Sequence, residues 1–265
     1  IGDSVADHQA LDAGTGDEKW IKPSDYLYAY KDRAQFEADA FGWEVRAQNG
    51  FEWETLEGTA FSEFDPCFAH SIGFGVKMKN HGRISDPGEY VKALAAHAQS
   101  QGAKLIIAEV SDILREHGRV TGVRAGGENI ACDVAVLATG AWSGPLAERL
   151  GIKAPLESER GYHLELVDPS VMPRTPVMIA EGKFVVTPMD GRLRLAGVVE
   201  FGGLDAPRSH LPFQLLERGI RAAIPDLKWK ETRKWMGHRP SIADSLPLIG
   251  EAPRIKGAYQ GFGHD

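Results

Sequence analysis

Residues 134–143 read VAVLATGAWS, and this stretch decides the fold class. An apolar run that stops at Thr139-Gly140 is typical of a buried parallel strand, which delivers a tight turn with few side-chain atoms to a ligand. In a nucleotide-binding sheet such a turn is usually the second contact, made after a glycine-rich first turn has bound the pyrophosphate. The stretch therefore predicts part of an α/β sheet and directs attention to the residues before it.

The composition is that of an ordinary soluble enzyme. The 265-residue chain is 43% hydrophobic and 25% charged and carries a net charge of −7. Because phosphate binding relies on clustered Lys and Arg, this charge argues against a nucleic-acid partner. The longest apolar runs are too short to span a membrane, and no signal peptide opens the chain. Cys67 and Cys132 lack metal spacing, so we interpret them as free thiols in a reducing compartment. We expect no metal site and a cytoplasmic location, with peripheral membrane association left open.

The clearest local pattern precedes the opening stretch. Residues 86–102 carry an aspartate N-cap, a proline in the first turn and a glycine after the last turn, which predicts a helix. Residues 103–110, AKLIIAEV, are predicted as a buried strand, and residues 111–133 as a small antiparallel meander. With a parallel strand at 133–138, this order makes half of a dinucleotide-binding fold.

The flanking segments are of a different kind. Residues 163–201 alternate short strands with turns, including a hairpin at Asp190-Gly191, and residues 212–225 form an amphipathic helix closed by proline. An antiparallel sheet covered by a helix is a common substrate-binding layer.

Six segments, taken in order, resemble the D-amino-acid oxidase/dehydrogenase family, whose FAD-dependent members include glycine and sarcosine oxidases. They are HGRISDPGEYVKALAAHAQSQGAKLI (81–106), VAVLATGAWSGPLAERLG (134–151), PLESERGYHLEL (155–166), VVTPMDGRLRLAGVVEFGG (185–203), WMGHRPSIADSLPLIG (235–250) and GAYQGFGHD (257–265). The resemblance covers nearly the whole chain. It implies a mixed α/β (α+β) fold, with an incomplete FAD/NAD(P)-binding Rossmann-like lobe interleaved with an antiparallel-sheet substrate lobe. We predict the first lobe at 76–150 and 238–265, and the second at 1–75 and 151–237.

Two departures from the family pattern limit the resemblance. The family begins with a strand and a G-x-G-x-x-G turn that cradles the FAD pyrophosphate, and the early glycines here follow no hydrophobic strand. The chain also stops at GFGHD, inside the family's terminal glycine-histidine motif. We therefore expect a fragment of a larger enzyme that is inactive alone and binds FAD weakly or not at all.

The resemblance places a substrate anchor at Arg239, because a guanidinium grips a carboxylate with two parallel hydrogen bonds. A structural ion pair is the alternative, and Asp244 either orients Arg239 or caps the next turn. Tyr162 and His163 enter the substrate sheet, where only one of them can face a cavity. Their expected roles are in positioning, because hydride transfer from a neutral amine requires no protein base. Phe184 and Val199 match substrate-wall positions and are equally compatible with a core.

The resemblance also assigns residues to the cofactor. Val110 would lie near the adenine, the turn at 138–140 near the pyrophosphate or ribose, and Trp142 would shield the flavin. The full set predicted to bind FAD is Val110, Ala138, Thr139, Gly140, Trp142, Gly263 and His264.

The predicted function is FAD-dependent oxidation of the C–N bond of a D-amino acid, a glycine-like substrate or an imino acid, by hydride transfer to the flavin. The alternative is a non-catalytic substrate-binding subunit, or a short homologue that has lost FAD binding. A nicotinamide dehydrogenase is a poor fit, because it also needs the absent glycine-rich turn. The sequence leaves open the substrate side chain, the oligomeric state and an electron acceptor that is oxygen, a quinone or a carrier protein.

Overall fold

A computed structural model describes residues 3–16 and 18–264, which form seven α-helices and fourteen strands. The helices are α1 (Ser4–Asp12), α2 (Arg33–Ala38), α3 (Ala40–Gln48), α4 (Thr59–Phe64), α5 (Pro87–Ser100), α6 (Ser143–Arg149) and α7 (Leu211–Ala223). The strands are β1 (Ile21–Tyr30), β2 (Trp53–Glu57), β3 (Phe74–Ile84), β4 (Val110–Glu116), β5 (Arg119–Ala125), β6 (Glu128–Ala131), β7 (Ala135–Leu137), β8 (Leu156–Val167), β9 (Val177–Ile179), β10 (Phe184–Met189), β11 (Arg192–Phe201), β12 (Glu231–Ile242), β13 (Leu248–Glu251) and β14 (Ala258–Phe262). The predicted mixed α/β class is confirmed.

The chain divides into two compact units. The first comprises Ile1–Lys104, Tyr162–Val198 and Ser209–Trp235, and the second comprises Leu105–Gly161, Val199–Arg208 and Met236–Asp265. These boundaries differ from those of the predicted lobes chiefly at residues 76–104, which lie in the first unit. The reason is that β3 pairs antiparallel with both β1 and β2. The assignment of one lobe to the cofactor and the other to the substrate stays a prediction.

One large sheet orders its strands β12-β8-β11-β10-β9-β1-β3-β2. Its β9-β10-β11 section is antiparallel, as the alternating pattern predicts, and the β10-β11 hairpin turns at Asp190 and Gly191. A positive φ of 68° at Gly191 explains why glycine occupies that turn. In the first unit, α7 buries the apolar stripe of Phe213, Leu216 and Ile220, which confirms the predicted amphipathic helix.

The core of the first unit closes tightly around Phe184. Its side chain is almost wholly buried, and its ring lies against Gly182 and against Gly219 of α7. A Cβ atom would lie 2.5 Å from this ring at Gly182 and 2.6 Å from it at Gly219. Side chains at those two positions would overlap the phenyl ring, so glycine sets how closely α7 approaches β10.

The second unit contains two small sheets. In the first, β7 pairs parallel with β14, which pairs antiparallel with β13, so the predicted parallel strand is confirmed. In the second, β4, β5 and β6 form the predicted antiparallel meander. The core beneath them combines apolar residues of both sheets with α6, including Ile113, Leu137 and Leu146.

The predicted strand at 103–110 is wrong over residues 103–109. These residues pair with no strand among the described residues, and only Val110 enters a ladder, as the first residue of β4. Leu105, Ile106 and Ile107 are exposed, the last by 94%. A buried parallel strand requires neighbours on its edges and layers on its faces, and the described residues supply neither here.

Candidate functional site

The turn after β7 has little side-chain bulk. Ala138 and Thr139 are exposed, and Gly140 has a positive φ of 58° with nothing within 4 Å of the position that a Cβ would take. The Thr139 hydroxyl shares a hydrogen bond of 3.1 Å with that of Ser143 at the start of α6. The strand end is therefore open to close approach by a ligand.

A small polar cluster in the second unit involves this turn. The indole of Trp142 meets the His238 imidazole edge to face, with the ring centroids 5.2 Å apart. His238 Nδ1 shares a 2.7 Å hydrogen bond with the hydroxyl of the buried Ser158. Ser158 lies on β8 and His238 on β12, so this hydrogen bond joins the two neighbouring strands.

Arg239, the next residue of β12, pairs with the next residue of β8. Its Nη1 donates to Oε1 of Glu159 at 2.8 Å, and the Arg239 side chain is 46% exposed whereas that of Glu159 is 17% exposed. A Cβ at Gly161 would lie 3.1 Å from Arg239 Nε, so the guanidinium packs closely against the strand only because residue 161 has no side chain. Asp244 accepts a hydrogen bond from the amide of Leu246 at 3.1 Å, which favours the turn-capping alternative for Asp244.

Tyr162 and His163 belong to the first unit and point to opposite faces of β8. Tyr162 is 2% exposed, accepts a hydrogen bond from the Ser209 amide at 3.2 Å and packs against Phe213 of α7. His163 lies parallel to the Trp235 ring, with the centroids 4.7 Å apart at an interplanar angle of 16°. Of the two, only His163 faces away from the helix-covered core.

The environment of His163 keeps its ring neutral. Burial, reinforced by the positive charge of Arg194, lowers the pKa of His163 to about 4. Its Nδ1 is buried without a hydrogen-bond partner among the described residues. Because an orphaned N–H donor is costly to bury, we expect Nδ1 to be the unprotonated nitrogen, which leaves the proton on Nε2.

The two predicted substrate-wall residues lie in different surroundings. Phe184 is a core residue of the first unit, packed against α7. Val199 lies in the second unit near the end of β11 and is 40% exposed. They belong to different units, and their substrate-binding role stays a prediction.

The remaining cofactor positions occupy the second unit. Val110 is partly buried against its core, and Gly263 is buried with a φ of 88° and lies close to Ile242, whereas His264 is exposed. FAD would meet mainly backbone groups and small residues at 138–140, and the open space at Gly140 fits such a ligand. The described residues contain no strand, G-x-G-x-x-G turn and helix for the pyrophosphate. These positions fit one wall of a dinucleotide site.

A cavity of about 690 Å³ lies elsewhere in the first unit, between α1 and the paired strands β2 and β3. Trp53, Met78 and His81 contribute to its lining, and within the described chain its walls include none of the predicted site residues. Among the described residues, no group of three or more His, Cys, Asp or Glu could hold a metal ion. None of the described helices is both long and apolar enough to cross a membrane.

Reasoning from the sequence missed Glu159, Ser158, His238 and Trp235 as members of these clusters. A signal for Glu159 was present: a carboxylate two residues before the glycine of ERGYHLEL, on a strand whose alternate residues are apolar. The others become visible only once β8 and β12 are known to be neighbours.

The family comparison identifies the class of protein as FAD-dependent oxidoreductases. Residues 2–265 match the family model described as FAD dependent oxidoreductase (DAO), and the chain belongs to that family. The predicted family membership is confirmed.

Two curated relatives carry amino-acid oxidoreductase names. A D-amino-acid oxidase of Bradyrhizobium diazoefficiens is 34% identical over 261 residues, which cover 97% of this chain and 62% of that protein. A D-amino acid dehydrogenase of Rhizobium rhizogenes is 27% identical over 257 residues, which cover 95% of this chain and again 62% of the relative. The chain thus spans less than two thirds of the length of these relatives.

Solved structures share the fold at lower identity. Glycine oxidase from Bacillus cereus superimposes with a TM-score of 0.85 at 23% identity, covering 98% of this chain and 74% of that one. L-proline dehydrogenase from P. horikoshii gives a TM-score of 0.78 at 20% identity, covering 98% and 72%. At these identities the likeness establishes the fold alone.

Proposed function

We propose that the whole protein oxidises the C–N bond of an amino acid, with FAD accepting the hydride from the carbon that bears the nitrogen. Membership of the FAD dependent oxidoreductase family and the amino-acid substrates named for its relatives support this reaction. The candidate substrates are D-amino acids, glycine-like amines and imino acids. A location in the cytoplasm is part of the same proposal and rests on the two free cysteines.

The observation that carries the proposal is the state of Arg239. Its guanidinium is nearly half exposed and donates one hydrogen bond, from Nη1, to Glu159. A guanidinium held at one nitrogen and accessible at the others suits the binding of a substrate carboxylate. Such binding orients the α-hydrogen, and positioning of this kind is a large part of catalysis.

Other residues of the chain would hold the two ligands in place. The small residues at 138–140 would let the cofactor approach the backbone closely, and the Trp142 ring would lie along the cofactor. His163, neutral and stacked on Trp235, belongs to the first unit, and its positioning role stays a prediction. Because the amine reacts in its neutral form, none of these residues has to remove a proton from carbon.

The test is flavin reduction without oxygen, which does not depend on the natural electron acceptor. The whole protein, purified with FAD, is mixed with a panel of D-amino acids, glycine and proline, and the loss of oxidised-flavin absorbance is followed. Arg239→Lys keeps the charge but loses the planar fork, and should cost about 2–4 kcal/mol of transition-state stabilisation, roughly thirty- to a thousand-fold in efficiency.

The decarboxylated amine of the best substrate supplies the comparison. Arg239→Lys should leave the slow oxidation of this amine unchanged, because the amine has no carboxylate for residue 239 to bind. Arg233→Lys is the matched control, since Arg233 is an exposed residue of the same strand paired with Glu231. Equal losses on amino acid and amine would show that Arg239 supports the fold. Failure of every amino acid to reduce the flavin would reject the proposed reaction and favour a binding subunit.

A further inference from the structure

The ion pair between Glu159 and Arg239 leaves part of each group unused. Arg239 can donate from three nitrogens and Glu159 can accept at two oxygens, and the pair joins one nitrogen to one oxygen at 2.8 Å. Within the described part of the chain, Nε and Nη2 of Arg239 donate to no other group, and Oε2 of Glu159 accepts from none. A pair that served stability alone would be expected to use the two-pronged geometry that both side chains allow.

Glu159 is not needed to neutralise the other nearby cation. Arg160, its chain neighbour, points to the opposite face of β8 and is 2% exposed. There it pairs with Glu200 at 3.5 Å and donates to the carbonyl of Pro207 at 2.6 Å. The carboxylate of Glu159 is therefore committed to the face that carries Arg239.

We propose that Glu159 binds the positively charged nitrogen of the incoming substrate while Arg239 binds its carboxylate; the ammonium then loses one proton to water before the neutral amine reacts. The inference rests on the proposed function and names the group by which that function selects its substrate. An α-amino acid carries an anion and a cation on adjacent atoms, which match the free guanidinium nitrogens and the free carboxylate oxygen of this pair. Primary and secondary ammonium groups both supply a donor to Oε2, so amino and imino acids are accepted.

The same arrangement discriminates against 2-hydroxy acids. Their carboxylate satisfies Arg239, but a neutral hydroxyl gives Glu159 a weaker hydrogen bond than an ammonium does. The Glu159 carboxylate, already partly buried, would then lose solvent without gaining a cation. Glu159 is thus a specificity-determining residue that favours nitrogen over oxygen at the α-carbon.

The experiment compares two ligands that differ only at that atom. In the FAD-loaded whole protein without oxygen, the dissociation constant of the best amino-acid substrate is taken from the dependence of the flavin-reduction rate on its concentration. That of its 2-hydroxy analogue is taken from the flavin spectral shift that it causes. Glu159→Gln should weaken the amino acid about ten- to a hundred-fold, the range of a lost charge-assisted hydrogen bond. It should leave the 2-hydroxy acid unchanged or bind it more tightly, because a neutral amide competes less for Arg239.

Controls separate this role from support of the fold. Glu157→Gln makes the same chemical change at an exposed position of β8 and should change neither constant. Glu159→Asp keeps the charge and should bind the amino acid more tightly than Glu159→Gln does. This second variant keeps the test informative if Glu159→Gln folds poorly. Equal weakening of both ligands in Glu159→Gln would overturn the proposal, since Glu159 would then merely hold Arg239. A wild-type protein that no amino acid reduces would reject the proposed function itself, a distinct result.

Discussion

Replacing Gly219 with alanine should destabilise the first unit, although the residue lies inside helix α7. Alanine is the better helix former, by about 1 kcal/mol in a helix interior. The new methyl group, however, would lie 2.6 Å from Cε1 of Phe184 and 3.1 Å from its Cζ. Forcing extra carbon into a packed core costs typically about 1–3 kcal/mol, so the overlap equals or exceeds the helix gain.

The expected net effect is a loss of up to about 2 kcal/mol, which lowers Tm by a few degrees for a protein of this size. Denaturant and thermal unfolding measure it. Gly144→Ala in α6 is the matched control: nothing lies within 4 Å of its Cβ position, so it should be neutral or stabilising. Adding Phe184→Leu to Gly219→Ala should give less loss than the sum of the two single changes, because the smaller side chain frees the space.

One outcome would refute this reasoning. If Gly219→Ala is more stable than the wild type, the Phe184 ring has room to move and is not fixed by its glycine neighbours. The predicted substrate-wall role of Phe184 would then gain support, and Phe184→Leu should change KM more than the free energy of unfolding.

Two further predictions concern the site. Gly161→Ala places a methyl group 3.1 Å from Arg239 Nε and 3.4 Å from its Cζ and Nη2. Because that arginine is partly exposed and is able to move, Tm should stay unchanged while the affinity for the substrate carboxylate falls about three- to tenfold. Gly261→Ala, which has open space around it, is the control and should change neither quantity. For His163, whose pKa falls from an unfolded value of 6.5 to about 4, the unfolded chain takes up a proton first as the pH drops. Stability should therefore decline between these values by up to about 1.4 kcal/mol per pH unit, and His163→Phe should remove that part of the slope in denaturant titrations at pH 7 and pH 5.

Sequence patterns predicted the elements that depend on local chemistry. The aspartate cap, proline and terminal glycine located α5, where Asp86 accepts hydrogen bonds from the amides of Gly88 and Glu89 at 3.1 and 3.2 Å. Alternation and turn residues likewise located the β10-β11 hairpin and the β4-β5-β6 meander. In each case the determining interactions lie within a few residues along the chain.

The parts that sequence reasoning missed depend on strand order. Glu159 and Arg239 are 80 residues apart and meet because β8 and β12 are neighbours, which periodicity cannot reveal. The stack of His163 on Trp235 arises in the same way. The error at 103–109 is of the opposite kind, since an apolar run shows that a segment is able to form a strand but does not supply its neighbours.

The exposed, unpaired segment at 103–109 affects how this polypeptide behaves in solution, because it favours aggregation. Its exposed apolar side chains and the backbone of residues 104–108, which pairs with no strand among the described residues, form an edge on which a second chain could add a strand, the usual start of edge-to-edge aggregation. Lys104 and Glu109 are the charged residues of this segment, and four uncharged residues lie between them. Light scattering by solutions of these 265 residues alone should therefore rise with protein concentration. A charged residue in place of Ile107, the most exposed position of the segment, should reduce that scattering.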